Sequence, residues 1–408
     1  MTTKHLVTSE MVEAAARAIA GHVVPTPCTE SPALSELTGA TVFVKLENLQ
    51  RTGSFKDRGA LNRLLSLDRE QARRGVVAMS AGNHAQGVAY HARVLGIPAT
   101  IVMPEHTSFT KIARTRQLGA RVVLAGASMA EAGASARALA SSDGLLLVHP
   151  YDDPLVIAGQ GTVGLEIVDA VPNVDAIVVP VGGGGLLAGI AVAARGKVPG
   201  VELVGVQTEL FPAMSDRFRG VADPVASVGI TIADGIAVTE PGRITSPLVR
   251  DLADDVVTVR EASIEEAITL YVELEKTVVE GAGAVPLALL REAPDRFAGR
   301  RVVLVVSGGN IDPRVLSSVI LRGLGRQGRL VRLLVEADDS PGQLARIATR
   351  LGDAGANIVE VEHGRLGSEV AVRRVRVSVV VETVDADHAE RVVESLRSDG
   401  FVVEQRGL

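Results

Sequence analysis

Short runs of Val, Ile and Leu alternate with longer Ala-rich stretches along most of the chain. Polar residues do not alternate with apolar ones inside these runs, so both faces of each run are expected to be buried, as in parallel strands with helices on both sides. The runs predict strands at residues 75–80, 99–103, 121–124, 176–180, 203–207 and 301–307. The Ala-rich stretches predict helices at residues 84–95, 109–118, 129–141, 186–195 and 264–278. This pattern indicates an α/β fold built on parallel sheets.

The pattern changes near residue 325. Residues 323–328 combine glycine with arginine and predict a linker. After it, the apolar positions predict strands at residues 330–336, 358–363, 374–382 and 402–404, and helices at residues 342–354 and 386–399. The order β-α-β-β-α-β is the ferredoxin-like split βαβ arrangement. We therefore expect a first domain over residues 1–322 and a separate C-terminal domain over residues 329–408.

Composition narrows the class of protein. The formal net charge is −6, and no basic stripe is interleaved with aromatic residues, so nucleic-acid binding is not expected. The single cysteine, Cys28, cannot form an intrachain disulfide, which fits a reducing cytoplasm. The uncharged stretch between Asp175 and Arg195 approaches the length of a membrane span, but Pro180 and the glycines after it favour a strand, a loop and a helix. We expect a cytoplasmic protein that does not bind membranes.

Lys56 is the first candidate for catalytic chemistry. An extended run ends at Thr52-Gly53-Ser54, which offers a helix N-cap and a turn, so Lys56 is predicted in the first turn of a helix. The positive end of the helix dipole there favours the neutral amine, which is the form that Schiff-base chemistry needs. Spacing alone favours a solvated surface lysine, because a lysine at a helix start is usually exposed.

Three loops that follow predicted strands carry candidate ligand-binding residues. Backbone N–H groups at strand-to-helix loops bind anions, and ligands of open α/β sheets lie at the carboxyl ends of the strands. The loops are Ser80-Ala81-Gly82-Asn83-His84, Gly182-Gly183-Gly184-Gly185-Leu186 and Ser307-Gly308-Gly309-Asn310. Four consecutive glycines let a phosphate approach the backbone closely. Spacing leaves a nicotinamide site open, because Glu202 or Glu209 can supply the acidic residue of a dinucleotide fold.

The stretch around Lys56 resembles the cofactor-lysine motif of fold-type II pyridoxal-phosphate enzymes, in particular the threonine dehydratase and serine racemase branch. The resemblance extends over roughly residues 5–320 and includes residues 149–166, 232–237 and 279–284. It implies a tryptophan synthase β-like domain of two parallel-sheet lobes, with the smaller lobe, roughly residues 50–150, inserted in the larger.

The resemblance also implies roles for individual residues. Lys56, preceded by Phe55, is expected to form a Schiff base with pyridoxal phosphate and to remove the α-proton of the substrate. Asn83 is expected beside the phenolic oxygen of the cofactor, and Ser307 at its pyridine nitrogen. The residues expected to hold the cofactor phosphate are Gly182, Gly183, Gly184, Gly185 and the Leu186 amide. The residues expected to hold the substrate carboxylate are Ser80, Gly82, Asn83 and His84. For Glu280, a place near the cofactor ring and a structural ion pair stay equally open.

The implied reaction is dehydration and deamination of L-threonine, and also of L-serine, in isoleucine biosynthesis or threonine catabolism. Racemase relatives carry a serine where this chain has Ala81, so racemisation is disfavoured. The alternatives are a serine racemase or serine dehydratase, another β-elimination or β-replacement enzyme of this fold, and a non-catalytic amino-acid sensor. Serine racemases bind a divalent metal through a glutamate in the region of Gln207-Thr208-Glu209, and we predict no metal here.

The C-terminal domain resembles the ACT domain, a small amino-acid-sensing module, over roughly residues 329–408. The resemblance rests on residues 335–344 and on the turn at residues 355–358. It implies an effector site at Asp338, Pro341, Gly342 and Asn357, with isoleucine or valine as candidate effectors. The alternative is a domain that only stabilises an oligomer. By resemblance we expect a homodimer or homotetramer.

Overall fold

The computed structural model describes residues 5–222, 229–364, 371 and 373–407. The chain divides into two compact units, Met1–Ile311 and Asp312–Leu408. The strands of the first unit are β1 (Cys28–Glu30), β2 (Thr41–Leu46), β3 (Val76–Met79), β4 (Ala99–Met103), β5 (Arg121–Leu124), β6 (Leu146–Leu147), β7 (Ala176–Pro180), β8 (Glu202–Thr208), β9 (Asp255–Val259) and β10 (Arg301–Val306).

The first unit also contains the helices that cover these strands. In chain order they are α1 (Ser9–Ile19), α2 (Pro32–Thr38), α3 (Lys56–Leu65), α4 (Arg69–Arg74), α5 (Asn83–Leu95), α6 (Phe109–Gln117), α7 (Met129–Asp143), α8 (Pro154–Ala170), α9 (Gly185–Lys197), α10 (Ala213–Arg219), α11 (Thr245–Leu252), α12 (Glu261–Leu274), α13 (Gly281–Glu292) and α14 (Pro294–Phe297). Two short 3₁₀ turns lie at Glu47–Leu49 and Asp234–Ile236.

Two sheets organise the first unit. The larger has the order β1-β2-β10-β7-β8-β9, and every pair in it is parallel except β1 with β2. The smaller has the order β5-β4-β3-β6 and is parallel throughout. Its strands fall between β2 and β7 in the sequence. The predicted α/β class with parallel sheets is confirmed, and β7 and β10 are buried on both faces as predicted. For residues 121–124 that expectation was wrong: β5 is an edge strand of the smaller sheet, and its residues are half-buried or exposed.

Helix α8 sets the positions of the two helices that matter most for the site. Helix α8 has glycines at the points where its backbone contacts the backbones of α9 and α3. A Cβ on Gly161 would lie 2.7 Å from the Gly189 carbonyl oxygen of α9. A Cβ on Gly159 would lie 2.6 Å from Gly59 Cα of α3. Close packing of this kind leaves little room for relative movement. Helix α8 therefore holds α3, which begins at Lys56, in a fixed relation to α9, which follows the tetraglycine loop.

One predicted helix boundary is wrong. The helix expected at residues 264–278 is Glu261–Leu274 in the structure. Lys276 adopts a positive φ of 52°, a conformation that ends an α-helix, and the chain then turns towards Glu280. The uncharged stretch after Asp175 forms β7, the tetraglycine loop and α9, and no helix in the described ranges is long and apolar enough to cross a membrane.

The second unit contains the elements predicted for a ferredoxin-like domain. They are α15 (Pro313–Arg326), β11 (Leu330–Asp338), α16 (Gln343–Asp353), β12 (Asn357–Gly364), β13 (Arg374–Glu382), α17 (Ala386–Ser398) and β14 (Val402–Arg406). The sheet is antiparallel with the order β12-β13-β11-β14, and β11 alternates strictly between buried and half-buried residues, so one sheet face carries the core. The linker predicted at residues 323–328 is helical as far as Arg326, because Gly323 lies on the buried side of α15 rather than in a turn.

Candidate active site

Lys56 is the first residue of α3, as predicted. Its Nζ donates a hydrogen bond to the Pro150 carbonyl oxygen at 2.7 Å and lies 5.0 Å from the centre of the Phe55 ring. Burial disfavours the ammonium form and lowers the pKa of Lys56 to about 8, although the negative charge of Glu280 acts in the opposite direction. The neutral fraction of this amine near physiological pH is therefore far larger than in an ordinary lysine, and the neutral amine can act as a nucleophile or base.

The cap of this helix differs from the prediction. The N-cap residue is Phe55, and Ser54 Oγ is buried with no hydrogen-bond partner among the described residues. The turn is fixed instead by Asp57, whose carboxylate accepts hydrogen bonds from Thr52 N at 3.0 Å and from Thr52 Oγ1 at 2.5 Å. The expectation of a side-chain cap at Thr52-Gly53-Ser54 was wrong because Asp57, inside the helix, reaches back to the turn.

Arg58 anchors the same helix from its buried side, and sequence reasoning did not single it out. Its guanidinium donates to Glu47 at 2.8 Å and to Glu166 of α8 at 2.6 Å and 2.8 Å. Lys45 Nζ adds a third contact to Glu166 at 2.5 Å. Buried charges persist only when they are paired in this way. The network has a positioning role: it fixes the helix start that carries Lys56.

Asn83 and Glu280 form the centre of the site. Asn83 Nδ2 donates to Glu280 Oε1 at 2.7 Å, and Asn310 Nδ2 donates to Asn83 Oδ1 at 2.8 Å. Burial and the nearby charge of Asp234 raise the pKa of Glu280 to about 7. Glu280 has no ion pair within 4 Å in the described part of the chain, so the reading of Glu280 as a structural salt bridge is not supported.

The loop before α5 leaves room for an anion. Ser80 Oγ accepts a hydrogen bond from Gly82 N at 3.1 Å, which leaves its own proton free to donate. A Cβ on Gly82 would meet nothing within 4 Å. His84 is buried, its Nε2 is 2.9 Å from the Val148 carbonyl oxygen, and burial lowers its pKa to about 3. In this neutral tautomer Nδ1 is an acceptor, so the His84 side chain cannot donate to a carboxylate, whereas its backbone N–H can.

The tetraglycine loop is braced by three side chains. Gly184 has a φ of +92°, and a Cβ on it would lie 2.5 Å from Met214 Cε. A Cβ on Gly183 would collide with the Tyr151 ring, and Thr245 Oγ1 donates to the Gly183 carbonyl oxygen at 2.6 Å. Only glycine fits these two positions. The loop presents bare backbone at the N-terminus of α9, which is where a phosphate group binds.

Ser307 ends β10 next to the start of the lysine helix. Its carbonyl oxygen accepts a hydrogen bond from Phe55 N at 3.0 Å, and Ser54 pairs with Gly308 in an isolated bridge. A Cβ on Gly308 would collide with Glu280 Oε1, so this glycine is required for the approach of Glu280. Contacts therefore link the loops that carry Lys56, Asn83 and Ser307. The tetraglycine loop is connected to them through the segment Pro150-Tyr151: the Pro150 carbonyl oxygen accepts the hydrogen bond from Lys56, and the Tyr151 ring lies against Gly183.

Comparison with known proteins identifies the family that has this arrangement. Residues 19–308 match the family model "Pyridoxal-phosphate dependent enzyme", and residues 331–401 match the ACT domain model. The chain is a member of the pyridoxal-phosphate dependent enzyme family. The resemblance inferred from the lysine and glycine motifs is thus confirmed, and so is the C-terminal ACT domain.

Individual relatives of this family member align over nearly its whole length. It is 44% identical over 399 residues to a protein of Thermotoga maritima named L-threonine ammonia-lyase, and the match covers 98% of this chain and 99% of the relative. Among solved structures, a threonine deaminase from T.th. superposes with a TM-score of 0.71 and 41% identity over 75% of this chain and 99% of its own. Maize serine racemase gives a TM-score of 0.73 and 32% identity over 79% of this chain and 99% of its own.

The site fits the cofactor of the family, pyridoxal phosphate. The fit rests on a buried lysine amine, an amide held at Asn83, a strand-end hydroxyl at Ser307 and bare glycine backbone at a helix N-terminus. The residues that would hold the cofactor are Lys56, Asn83, Gly182, Gly183, Gly184, Gly185 and Ser307. This set matches the donor chemistry that a pyridine aldehyde with a phosphate group requires.

The described residues contain no group of three His, Cys, Asp or Glu side chains that could hold a metal ion. Gln207, in the region where racemases bind a metal, is fully buried, and its Oε1 accepts hydrogen bonds from Met214 N at 2.9 Å and Ser215 N at 2.8 Å. Gln207 therefore caps the start of α10.

The ACT domain of this family member has a cavity of about 220 Å³ beside the loop between β11 and α16. Of the predicted effector residues, Pro341 and Gly342 line it, together with His363. Asp338 ends β11, and Asn357 begins β12, where Asn357 Nδ2 donates to Glu382 at 3.3 Å. Neither Asp338 nor Asn357 lines this cavity.

Proposed function

We propose that the chain is a pyridoxal-phosphate-dependent L-threonine ammonia-lyase, which converts L-threonine to 2-oxobutanoate and ammonia and also converts L-serine to pyruvate. The observation that carries the proposal is the Lys56 amine, buried, with a pKa lowered to about 8, at the meeting point of the Asn83, Ser307 and tetraglycine loops. The names of the Thermotoga maritima relative and of the T.th. structure support the same reaction.

The bound cofactor supplies an electron-accepting ring that stabilises negative charge on the substrate α-carbon. Lys56 Nζ, as a neutral amine, takes up the α-proton. Ser80 Oγ and the free N–H groups at the start of α5 bind the substrate carboxylate and orient the α-carbon towards Lys56. Asn83 is held in one orientation by Glu280 on one side and Asn310 on the other, so it needs no reorganisation when the substrate binds.

Ala81 separates this proposal from one of its alternatives, a serine racemase, whereas a serine dehydratase is distinguished only by its substrate preference. A racemase needs an acid or base on each face of the α-carbon, and the methyl group of Ala81 supplies none. It packs instead against the core of the smaller lobe. One base on one face is sufficient for elimination, so Lys56 can support deamination without inversion.

We also propose that an amino acid such as isoleucine or valine binds the ACT domain and alters the activity, and that the protein is a homodimer or homotetramer. The cavity beside Pro341 and Gly342 supports the effector site. An effector that binds one state of the protein more tightly than another shifts the balance between the states and can thereby change the activity at the catalytic site. The alternative is that the domain only stabilises the oligomer, in which case effectors leave the activity unchanged.

The test is an initial-rate assay of 2-oxo acid formation with L-threonine and L-serine in parallel, combined with chiral chromatography of the residual serine. We expect the larger kcat/KM for threonine and no formation of D-serine. A strong preference for serine would contradict the threonine assignment. Formation of D-serine would favour the racemase alternative.

A further inference from the structure

A second cavity lies away from Lys56, between helices α10 and α11. Its volume is about 350 Å³. The lining combines apolar side chains of Met214, Phe218 and Val249 with the guanidinium groups of Arg217, Arg243 and Arg250. Small-molecule sites typically have volumes of about 300–1,000 Å³, an apolar lining and a few polar groups that fix the ligand.

The positive charge around this cavity is only partly neutralised. Arg250 Nε pairs with Asp251 at 3.1 Å. Arg217 and Arg243 form no ion pair within the ranges that the structure describes. The carboxylate of Asp152 accepts the backbone N–H groups of Arg243, Ile244 and Thr245 and forms no ion pair with a guanidinium of the lining. The guanidinium groups of Arg217 and Arg243 therefore have no ion-pair partner among the described residues, and an anion in the cavity can bind both.

The chemistry of the lining narrows the class of ligand. A guanidinium presents its N–H groups in a planar fork that matches phosphate and carboxylate oxygens. Two unpaired guanidinium groups match a phosphate monoester, which carries close to two negative charges and three oxygens at neutral pH, better than a single carboxylate. Half-buried Phe218 offers a surface for an aromatic or aliphatic body, whereas Met214 and Val249 are almost fully buried.

The cavity lies close to the tetraglycine loop, because Met214 contacts both and Thr245, next to the lining residue Ser246, contacts the loop. Met214 lines the cavity, and its Cε occupies the space next to Gly184. Thr245, the first residue of α11, donates to the Gly183 carbonyl oxygen at 2.6 Å. A ligand between α10 and α11 would therefore lie next to Met214 and Thr245, which contact the tetraglycine loop. It would bind to residues other than the four glycines.

We propose that the cavity between α10 and α11 binds a small phosphate monoester, with its phosphate at Arg217 and Arg243 and its apolar body on Phe218. This is a second anion site, separate from the tetraglycine loop. It does not depend on the proposed function, because binding is measured without turnover.

The experiment is isothermal titration calorimetry of the full-length, cofactor-loaded protein with phenyl phosphate as the probe. We expect saturable binding, with one site per chain, while the cofactor absorbance stays unchanged. Arg217→Ala and Arg243→Ala should each weaken binding by about tenfold or more, because each removes a charge-assisted contact. Arg219→Ala is the matched control: Arg219 lies on the same helix but outside the cavity, 4.0 Å from Asp255, and should change affinity by less than about twofold.

Four results would overturn the proposal. The first is the absence of saturable heat up to about 10 mM probe, a concentration that would detect even millimolar affinity. The second is an equal loss of affinity in Arg219→Ala, which would indicate non-specific attraction to surface charge. The third is displacement of the cofactor by the probe, which would place binding at the tetraglycine loop. The fourth is equal affinity for benzoate, which would contradict the assignment of a phosphate monoester. Thermal melting of the three variants verifies that each remains folded.

Discussion

Burial shifts the pKa values of Lys56 and Glu280 in opposite directions and brings them close together. It lowers the pKa of the Lys56 amine to about 8 and raises that of the Glu280 carboxyl to about 7, since each loses water around its charged form. The two groups have different roles: Lys56 is the base in the proposed reaction, and Glu280 accepts the hydrogen bond that holds Asn83. Perturbed pairs of this kind mark catalytic sites.

Glu280 gives the activity a predictable pH dependence. Above a pH of about 7 the ionised carboxylate accepts the Asn83 hydrogen bond with full charge, and below it the protonated carboxyl is a weaker acceptor. We expect kcat/KM for threonine to fall as the pH drops through this range, and Glu280→Gln to remove that acidic limb. A pH profile from about 5.5 to 9 at roughly half-unit steps would check this. An unchanged acidic limb in Glu280→Gln would contradict the assignment.

The charges of Asp234 and Lys111 should shift the acidic limb of this kcat/KM profile in opposite directions along the pH axis. Asp234 raises the pKa of Glu280, whereas Lys111, which pairs with Asp234 at 2.7 Å, lowers it. Asp234→Asn is therefore expected to shift the acidic limb to lower pH, and Lys111→Met to higher pH. Both side chains are largely exposed, so stability should change by less than about 1 kcal/mol. Shifts of the same sign in the two variants would exclude this electrostatic account.

The family resemblance pointed to Lys56, Asn83, the tetraglycine and Ser307, because each stands in a short motif at the end of a strand or the start of a helix. It could not decide the role of Glu280, since its partner Asn83 lies far away in the sequence and no local pattern links them. The donor or acceptor state of His84 was also beyond prediction. That state depends on the contact of His84 with the Val148 carbonyl oxygen, which only the folded chain forms.

At the scale of elements, the site depends on the rigid placement of α3 and α9 against α8. The bounds of β4, β5 and β7 were predicted to the residue, because each is a short, largely apolar run between turn residues. The end of α12 and the cap of α3 were predicted wrongly. Both depend on single residues, Lys276 and Asp57, whose conformation or contacts are set by the folded structure rather than by periodicity.

The fit between Gly183 and Tyr151 gives a prediction at this scale. Gly183→Ala should distort the tetraglycine loop, because the added methyl would collide with the Tyr151 ring. We expect at least a tenfold weaker affinity for pyridoxal phosphate, on the order of 1–3 kcal/mol for overpacking. Fluorescence titration of the apo-protein with the cofactor measures this.

The control for this prediction is Gly196→Ala in the last turn of α9. A Cβ at Gly196 would lie 3.6 Å from Ser9 Cβ, an ordinary contact, and alanine favours the helix. We expect its cofactor affinity to equal that of the unmodified protein. If Gly183→Ala also retained full affinity, the loop would not need the Tyr151 contact.

At the scale of the whole molecule, the chain joins a family catalytic domain to an ACT domain with its own buried core. The division was visible in the sequence because the apolar pattern changes from unbroken runs to strict alternation in β11. Its position was less predictable: α15, with the glycines near its end, belongs to the second unit. The residues that line the cavity of the ACT domain could not be predicted from the sequence either. Asp338 and Asn357 match the ACT motif, but neither lines the cavity.

The effector site can be tested with two glycines at opposite ends of α16. Gly342 lines the cavity with a φ of +89°, so Gly342→Ala strains the loop there, whereas a Cβ at Gly352 inside α16 meets nothing within 4 Å. We expect isoleucine to change the rate of 2-oxobutanoate formation, with at least about tenfold more isoleucine required in Gly342→Ala and no change in Gly352→Ala. An identical isoleucine response in all three proteins would place the effector elsewhere.

The central claim is that Lys56 carries the cofactor. Reduction of the purified, cofactor-loaded protein with sodium borohydride, followed by proteolysis and peptide mass spectrometry, tests it most directly, because reduction fixes a Schiff base to its lysine. We predict a pyridoxyl-phosphate mass increment on the peptide that contains Lys56, and none in Lys56→Ala. Labelling of another lysine instead, such as Lys45 or Lys111, or no labelling of a protein saturated with cofactor, would contradict the account.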